Sequence, residues 1–262
     1  MTEDGSDDGT EECVRVFKTT VQQPVYWQRH ERNRGLPATR NSGIAAARGE
    51  YIALLDADDY WTAEHIDTLR NTLVETAADI AHSGSVLFNS ESGQTVEVRA
   101  PTSDAVRNFP RSLYDGAYVI QPSSVMVTRK LLNRVDGFNE SFRYVEDREM
   151  WLRCARAGAK FSFSGKNTCF YRKHLAALST HAAEMAVASA RVFQTHVNWL
   201  EIPDSVRSGS TTSAWIAAAR IVQRAEPKRA RALLRRTIAI APRIRYLIWA
   251  CALKLCSALT GR

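Results

Sequence analysis

Tyr51-Ile-Ala-Leu-Leu-Asp-Ala-Asp-Asp59 is the stretch on which the fold turns. Tyr51 to Leu55 is a short apolar run that reads as a buried strand, and it ends abruptly in an acidic cluster. In open α/β sheets, ligands bind beyond the carboxyl ends of strands. Carboxylates at i and i+2 in that place can hold a hard divalent cation, which keeps waters and takes its other ligands from substrate phosphates. An acidic triplet alone is more often a solvated loop. The apolar strand in front of it shifts the reading towards a ligand site.

The flanking sequence extends the pattern. Upstream, Leu36–Arg48 is predicted helical, with Pro37 in the first turn and Gly49 just past the end. Downstream, Thr62 is expected to cap a helix with Ile66, Leu69, Leu73 and Val74 on one face. Ser85–Phe88 and Thr95–Arg99 are further strand candidates. Strands and helices thus alternate to about residue 100, which predicts an α/β layer. A second zone, 101–174, offers a strand at Ser124–Val127 and a Gly137-Phe138 turn. It continues with a helix from Glu146 to Gly158 that buries Met150, Trp151 and Cys154, and with strands at Phe161–Phe163 and Thr168–Tyr171. The third zone, 175–262, is expected to be helical, with Pro203 and Ser208-Gly-Ser-Thr-Thr212 marking a linker.

Composition bounds the class. The 262 residues are 45% hydrophobic and 24% charged, enough for a core without disulfides or a structural metal, and unlike disordered or coiled-coil chains. No run of 18 apolar residues predicts a membrane-spanning helix, and Met1-Thr-Glu-Asp-Gly-Ser-Asp-Asp-Gly-Thr-Glu-Glu12 lacks the apolar core of a secretory signal. Five cysteines without a CxxC pair read as reduced thiols of a cytoplasmic protein. The net charge of +7 is uneven. Residues 205–262 hold 12 Lys/Arg against one acid, Glu226, a net +11, while residues 1–204 carry −4. The slightly acidic body argues against nucleic acid as a partner.

Longer motifs surround the acidic cluster. They are Asn33-Arg-Gly-Leu-Pro-Ala-Thr-Arg-Asn-Ser-Gly-Ile44, Ala47-Arg-Gly-Glu-Tyr-Ile-Ala-Leu-Leu-Asp-Ala-Asp-Asp-Tyr-Trp61, Asp4-Gly-Ser-Asp-Asp-Gly-Thr10, and Gly137-Phe-Asn-Glu-Ser-Phe142 followed by Glu146-Asp-Arg-Glu-Met-Trp-Leu-Arg153. In this order they resemble family 2 glycosyltransferases of the GT-A fold, over about residues 3–174. The resemblance implies a Rossmann-related mixed sheet flanked by helices. It also implies transfer of a sugar from a nucleotide-sugar donor to an acceptor hydroxyl of a cell-surface glycan or glycolipid, with inversion and with Mg²⁺ or Mn²⁺ as cofactor.

Roles carry over by motif. Asp147 matches the catalytic base, with Glu146 beside it. Asp4, Arg40 and Asp56 match donor-side positions. Asp58 matches the metal ligand, assisted by Asp56 and, from Tyr171-Arg-Lys-His174, by His174. Read without the resemblance, Glu146 and Asp147 are acids at a helix start, where the dipole favours them. The chemistry suits these types: a divalent ion offsets charge on the leaving diphosphate, and a carboxylate takes the proton of the attacking hydroxyl. No QxxRW-type sequence follows Asp147, which argues against a processive synthase.

The family begins with a strand, a helix and a second strand before the loop that here starts at Asp4, so the resemblance implies that about 30 residues of a βαβ unit are missing. Hence the expected architecture is an N-terminally truncated catalytic domain, 1–204, and a basic helical region, 205–262. A nucleotide-sugar-binding remnant or accessory module is the alternative. The basic stretch beside apolar Ile244–Leu259 suits peripheral contact with an anionic membrane, at the inner face of the plasma membrane, where a lipid-linked acceptor lies; helix packing is the competing reading.

Overall fold

The computed structural model describes residues 1–173 and 181–240. His174 and the segment Ile244–Leu259 lie outside the described residues. The chain opens with β1 (Thr2–Glu3), α1 (Thr10–Thr20) and β2 (Gln28–Arg29), and β1 pairs with β2 in parallel as a small sheet of its own. Helix α1 buries Val14 and leaves Cys13, Val16 and Phe17 exposed. Next come α2 (Leu36–Ala46), β3 (Tyr51–Ala53), β4 (Tyr60–Trp61), α3 (His65–Thr76), β5 (Ile80–Asn89) and β6 (Thr95–Arg99). Two short helices, α4 (Ser103–Arg107) and α5 (Arg111–Asp115), lead through a 3₁₀ turn at Pro122–Ser124 into β7 (Val125–Thr128) and α6 (Arg129–Arg134). Then follow α7 (Glu146–Arg156), β8 (Phe161–Lys173), α8 (Ala182–Thr195), α9 (Asp204–Val222) and α10 (Pro227–Ile240).

The main sheet is mixed, with strand order β3-β7-β5-β8-β4. Strand β5 is its axis. One edge holds β8 in parallel along the whole strand, and the other is divided between β7, at Ile80–His82, and β6, at Ser85–Phe88. Gly84 marks the change of neighbour: a Cβ there would collide with the Asn167 side chain and the Arg99 carbonyl. The principal core packs α7 and α6 on the sheet through Met150, Trp151, Leu152, Cys154, Leu131, Ile80, Val125 and Val127. Opposite, Leu69 and Leu73 of α3 cover Ala81 and Met126. A third cluster lies among the last helices: Ala190, Trp215, Ala218, Ala219, Val222, Ala230, Leu233 and Leu234. Among the described residues, no helix is long and apolar enough to cross a membrane.

The expected α/β layer, the helix from Glu146 and the burial of Met150, Trp151 and Cys154 are all found. Several expectations are corrected. The Thr62 hydroxyl caps nothing: α3 starts at His65, whose N–H bonds to the Thr62 carbonyl (3.1 Å). Ile66 and Val74 face solvent, because α3 packs through the His65, Leu69, Leu73 row and each lies one residue, about 100°, off it. The two strands expected at Phe161–Phe163 and Thr168–Tyr171 are one strand, β8, with the register irregular at the level of Gly84. The linker expected at Ser208–Thr212 is the first half of α9. There Thr211 and Thr212 are buried and the Thr211 hydroxyl donates to the Arg207 carbonyl (2.7 Å), so packing overrides weak local helix propensity. The helix expected over Leu36–Arg48 stops at Ala46, and the strand expected over Tyr51–Leu55 stops at Ala53, with Leu55 exposed.

Candidate active site

Arg40 is the hub. It lies one turn into α2, whose start is fixed by Gly35 at φ +92° and by Pro37 in the first turn. Gly35 has no side chain to cap the helix, and Asp4 supplies one from a distance. Its carboxylate accepts the backbone N–H groups of Arg34 (2.9 Å) and Gly35 (2.7 Å) and lies 2.7 Å from His30 Nδ1. Burial opposes ionisation of Asp4, but these hydrogen bonds outweigh it and hold its pKa below the ordinary carboxylate value. The next residue, Asn41, pins α2 to the Gly137-Phe138 turn: its Oδ1 accepts the Phe138 N–H (2.7 Å) and its Nδ2 donates to the Phe138 carbonyl (2.9 Å). Gly137, at φ +61°, is required there, since a Cβ would lie 2.6 Å from Asn41 Oδ1.

So fixed, Arg40 is 8% exposed. Nη2 donates to both oxygens of Asp56 (2.8 Å each), Nη1 donates to Glu146 Oε1 (2.5 Å), and the group lies over the Phe138 ring at 5.3 Å. Burial disfavours the cation, and Asp56 and Glu146 more than compensate, so its pKa is raised. Removing one partner of such a buried array leaves an uncompensated charge and costs about 3–5 kcal/mol.

The acidic turn follows β3. Asp59 N–H bonds to the Asp56 carbonyl (3.1 Å), closing the turn with Asp58 exposed at its tip. Asp59 points inwards, and burial pushes its pKa up to about 6 against its hydrogen bonds from Ser123 and the Arg172 N–H. On the other side of Arg40, Val145 precedes α7 at φ +58°, a strained conformation for a β-branched residue. It turns the chain so that Glu146 and Asp147 open the helix. Burial, and repulsion between these neighbours, raise the pKa of Glu146, and burial raises that of Asp147. The two carboxyl groups titrate as a pair, and Arg40, hydrogen-bonded to Glu146, opposes the upward shift of both. Arg148, next in line, donates to the Tyr114 carbonyl (2.9 Å) and lies over Phe193 of α8 at 4.5 Å. Tyr171 of β8 lies in the field of both halves: burial first, then Asp59, Asp58, Asp56 and Asp147, raise its phenol pKa.

Arg40, Asp56 and Glu146 are therefore in direct contact, Asp147 and Asp58 flank them, and Asp4 bonds to the 30–35 segment that starts α2. Trp61 is a packing residue that stacks on His65 at 4.5 Å. Asn41, Ser123 and Tyr171 were not singled out by sequence. Asn41 and Tyr171 stand inside quoted motifs, whereas Ser123 has no local signal. Among the described residues, no group of three His, Cys, Asp or Glu could hold a metal ion. The donor set at the turn is all carboxylate oxygen, with Asp58 exposed. That suits a Mg²⁺-type ion, which needs one or two carboxylates and completes its shell with water and phosphate.

A mixed sheet with carboxylates at a strand end and a helix start, joined by an arginine, has the form of a GT-A glycosyltransferase. The family model of glycosyl transferase family 2 matches residues 1–140, and the chain belongs to that family. It is 25% identical over 175 residues to TuaG of Bacillus subtilis, named for teichuronic acid biosynthesis, covering 64% of each chain. It is 24% identical over 194 residues to WfaP of Escherichia coli, a UDP-Glc:alpha-D-GlcNAc-diphosphoundecaprenol beta-1,3-glucosyltransferase, covering 73% of this chain and 72% of WfaP. A glycosyltransferase of Methanocaldococcus jannaschii is 27% identical over 163 residues, and there the match spans only 55% of the relative's length. TarS of S. aureus, in complex with UDP-GlcNAc, shares the fold with a TM-score of 0.67 at 15% identity, over 100% of this chain and 82% of that one.

Because Asp4 is ionised more readily in the folded protein, its stabilisation is complete above the ordinary carboxylate pKa of about 4 and fades as pH falls below it. Asp4→Ala is expected to cost about 1–2 kcal/mol at pH 7, as a lost cap does. The cost shrinks below pH ~4, which urea unfolding at both pH values measures.

Proposed function

We propose that the protein is a metal-dependent, inverting glycosyltransferase that moves a sugar from a nucleotide-sugar donor to an acceptor hydroxyl of a cell-surface glycan or glycolipid. The observation that carries this reading is the Arg40 bridge. It joins the carboxylate turn beyond β3, suited to a diphosphate and its cation, to the carboxylates opening α7, suited to taking a proton. The names of TuaG and WfaP, and the UDP-GlcNAc held by TarS, support an envelope polymer or lipid-linked acceptor and a nucleotide-sugar donor.

In this reading Asp58, with Asp56 beside it, holds Mg²⁺ or Mn²⁺. The ion, when bound, offsets the charge that grows on the departing diphosphate. Arg40 holds Asp56 and Glu146 in place. Asp147 accepts the proton of the acceptor hydroxyl, so that one displacement suffices without an enzyme nucleophile. Asp58→Ala is expected to abolish metal-dependent donor binding with the melting temperature within about 2 °C of wild type, since an exposed residue contributes little to packing. Titration calorimetry with and without Mn²⁺, beside thermal melts, checks both halves.

The raised pKa of Asp147 fixes the sign of a pH test. A base acts only when deprotonated, so kcat/KM rises with pH through a pKa above the ordinary carboxylate range. Asp147→Asn is expected to keep donor affinity, lose that limb and lower the transfer rate by about 10²–10⁴. A pH–rate profile of both proteins decides it.

The helical region supports work at the cytoplasmic face of a membrane. Helix α10 turns Ala230, Leu233 and Leu234 inwards onto α9 and leaves Lys228, Arg235 and Arg236 outside, so its apolar stripe is used in packing and a basic face remains. Such a face attracts anionic headgroups without insertion, at about 1 kcal/mol per charge. Lys228→Glu with Arg235→Glu is expected to lower co-sedimentation with anionic vesicles at least tenfold at low salt and to leave neutral vesicles unaffected.

A further inference from the structure

The turn bearing Asp56 and Asp58 is held by groups with no part in the chemistry above. Ser123, 1% exposed in the 3₁₀ turn before β7, accepts the Asp56 N–H at its hydroxyl (3.1 Å) and donates the same hydroxyl to Asp59 Oδ2 (2.6 Å). Its carbonyl accepts the Trp61 indole N–H (2.6 Å). The other oxygen of Asp59 accepts the Arg172 N–H from β8 (2.9 Å), and Arg172 Nε returns to the Asp58 carbonyl (2.7 Å). Arg172 itself is steadied over the Phe88 ring of β5 at 4.9 Å. The backbone at the start and the tip of one four-residue turn, and the side chain at its end, are therefore tied to two other segments of the chain.

We propose that Asp59 and Ser123 are positioning residues for donor binding: with Arg172 they clasp the turn in the single shape that presents the Asp58 carboxylate at its tip. This inference rests on reading the turn as the donor site. A turn of this length has several conformers in water, and selecting one before the ligand arrives removes an ordering cost from binding. The clasp touches neither the acceptor nor the transferred proton, so it acts on donor affinity and not on the chemical step.

The experiment uses the full chain and its Ser123→Ala, Asp59→Ala and Asp59→Asn variants. Asn at 59 keeps an acceptor for the Arg172 N–H and offers an N–H to the second lone pair of Ser123 Oγ, so it serves as the rescue. The probes are UDP and GDP with Mn²⁺, read by calorimetry, and amide hydrogen exchange at residues 54–61 and 170–173. The two Ala variants are expected to exchange faster in both segments. Their affinity for whichever nucleotide wild type binds is expected to fall about ten- to a hundredfold, the effect of losing a hydrogen bond to a charged group. Their kcat stays within about threefold, since the chemical step is untouched, and Asp59→Asn stays near wild type in each respect. Ser123→Ala removes one oxygen, so it reports even if Asp59→Ala does not fold. Unchanged exchange in Ser123→Ala overturns the clasp. Faster exchange with unchanged nucleotide affinity, or a loss confined to kcat, overturns the positioning role. Wild-type protein that binds neither nucleotide overturns the donor reading and the positioning role together, and the exchange data separate that failure from the first.

Discussion

One buried cation holds the two halves of the site at a fixed separation. Arg40 is the meeting point of Asp56, from the strand end, and Glu146, from the helix start, and all three are largely withdrawn from water. A guanidinium suits this place because its planar fork bonds a carboxylate on one side while the other nitrogen serves a second, and it stays ionised where an ammonium would tend to lose its proton. The rest of the architecture serves to deliver it. Asp4 and Gly35 start α2, Asn41 locks α2 to the turn at Gly137, and that turn leads through Val145 into α7. The three charges also constrain one another: loss of Arg40 strands two carboxylates in a medium that penalises unpaired charge.

Much of this was legible in the sequence because it is written locally. The apolar run ending in Asp56, the helix start at Leu36 with Pro37 in its first turn and the acids at the head of α7 are all signals within a few residues, and the quoted motifs fixed their order. What was not legible depends on the chain meeting itself. Nothing near Ser123 announces that its hydroxyl joins Asp56 to Asp59, 67 and 64 residues away. Asp4 reads as a loop acid, and only the fold shows it capping a helix about 31 residues on. The failed linker at Ser208–Thr212 has the same cause. Ser, Gly and Thr argue against helix one residue at a time, and burial of Thr211 and Thr212, with Trp215 packed against α8 and α10, reverses the sum.

Helix α8 belongs to two cores at once. Val192 and Phe193 complete the packing around Tyr114 and α7, while Ala190 on the same helix packs with Trp215 and Leu233 of the last two helices. A rod shared in this way cannot be present for one core and missing for the other. Phe193 of α8 is the wall beneath Arg148, the residue next to Asp147, so the grip of the last two helices on α8 bears on the packing beside the site.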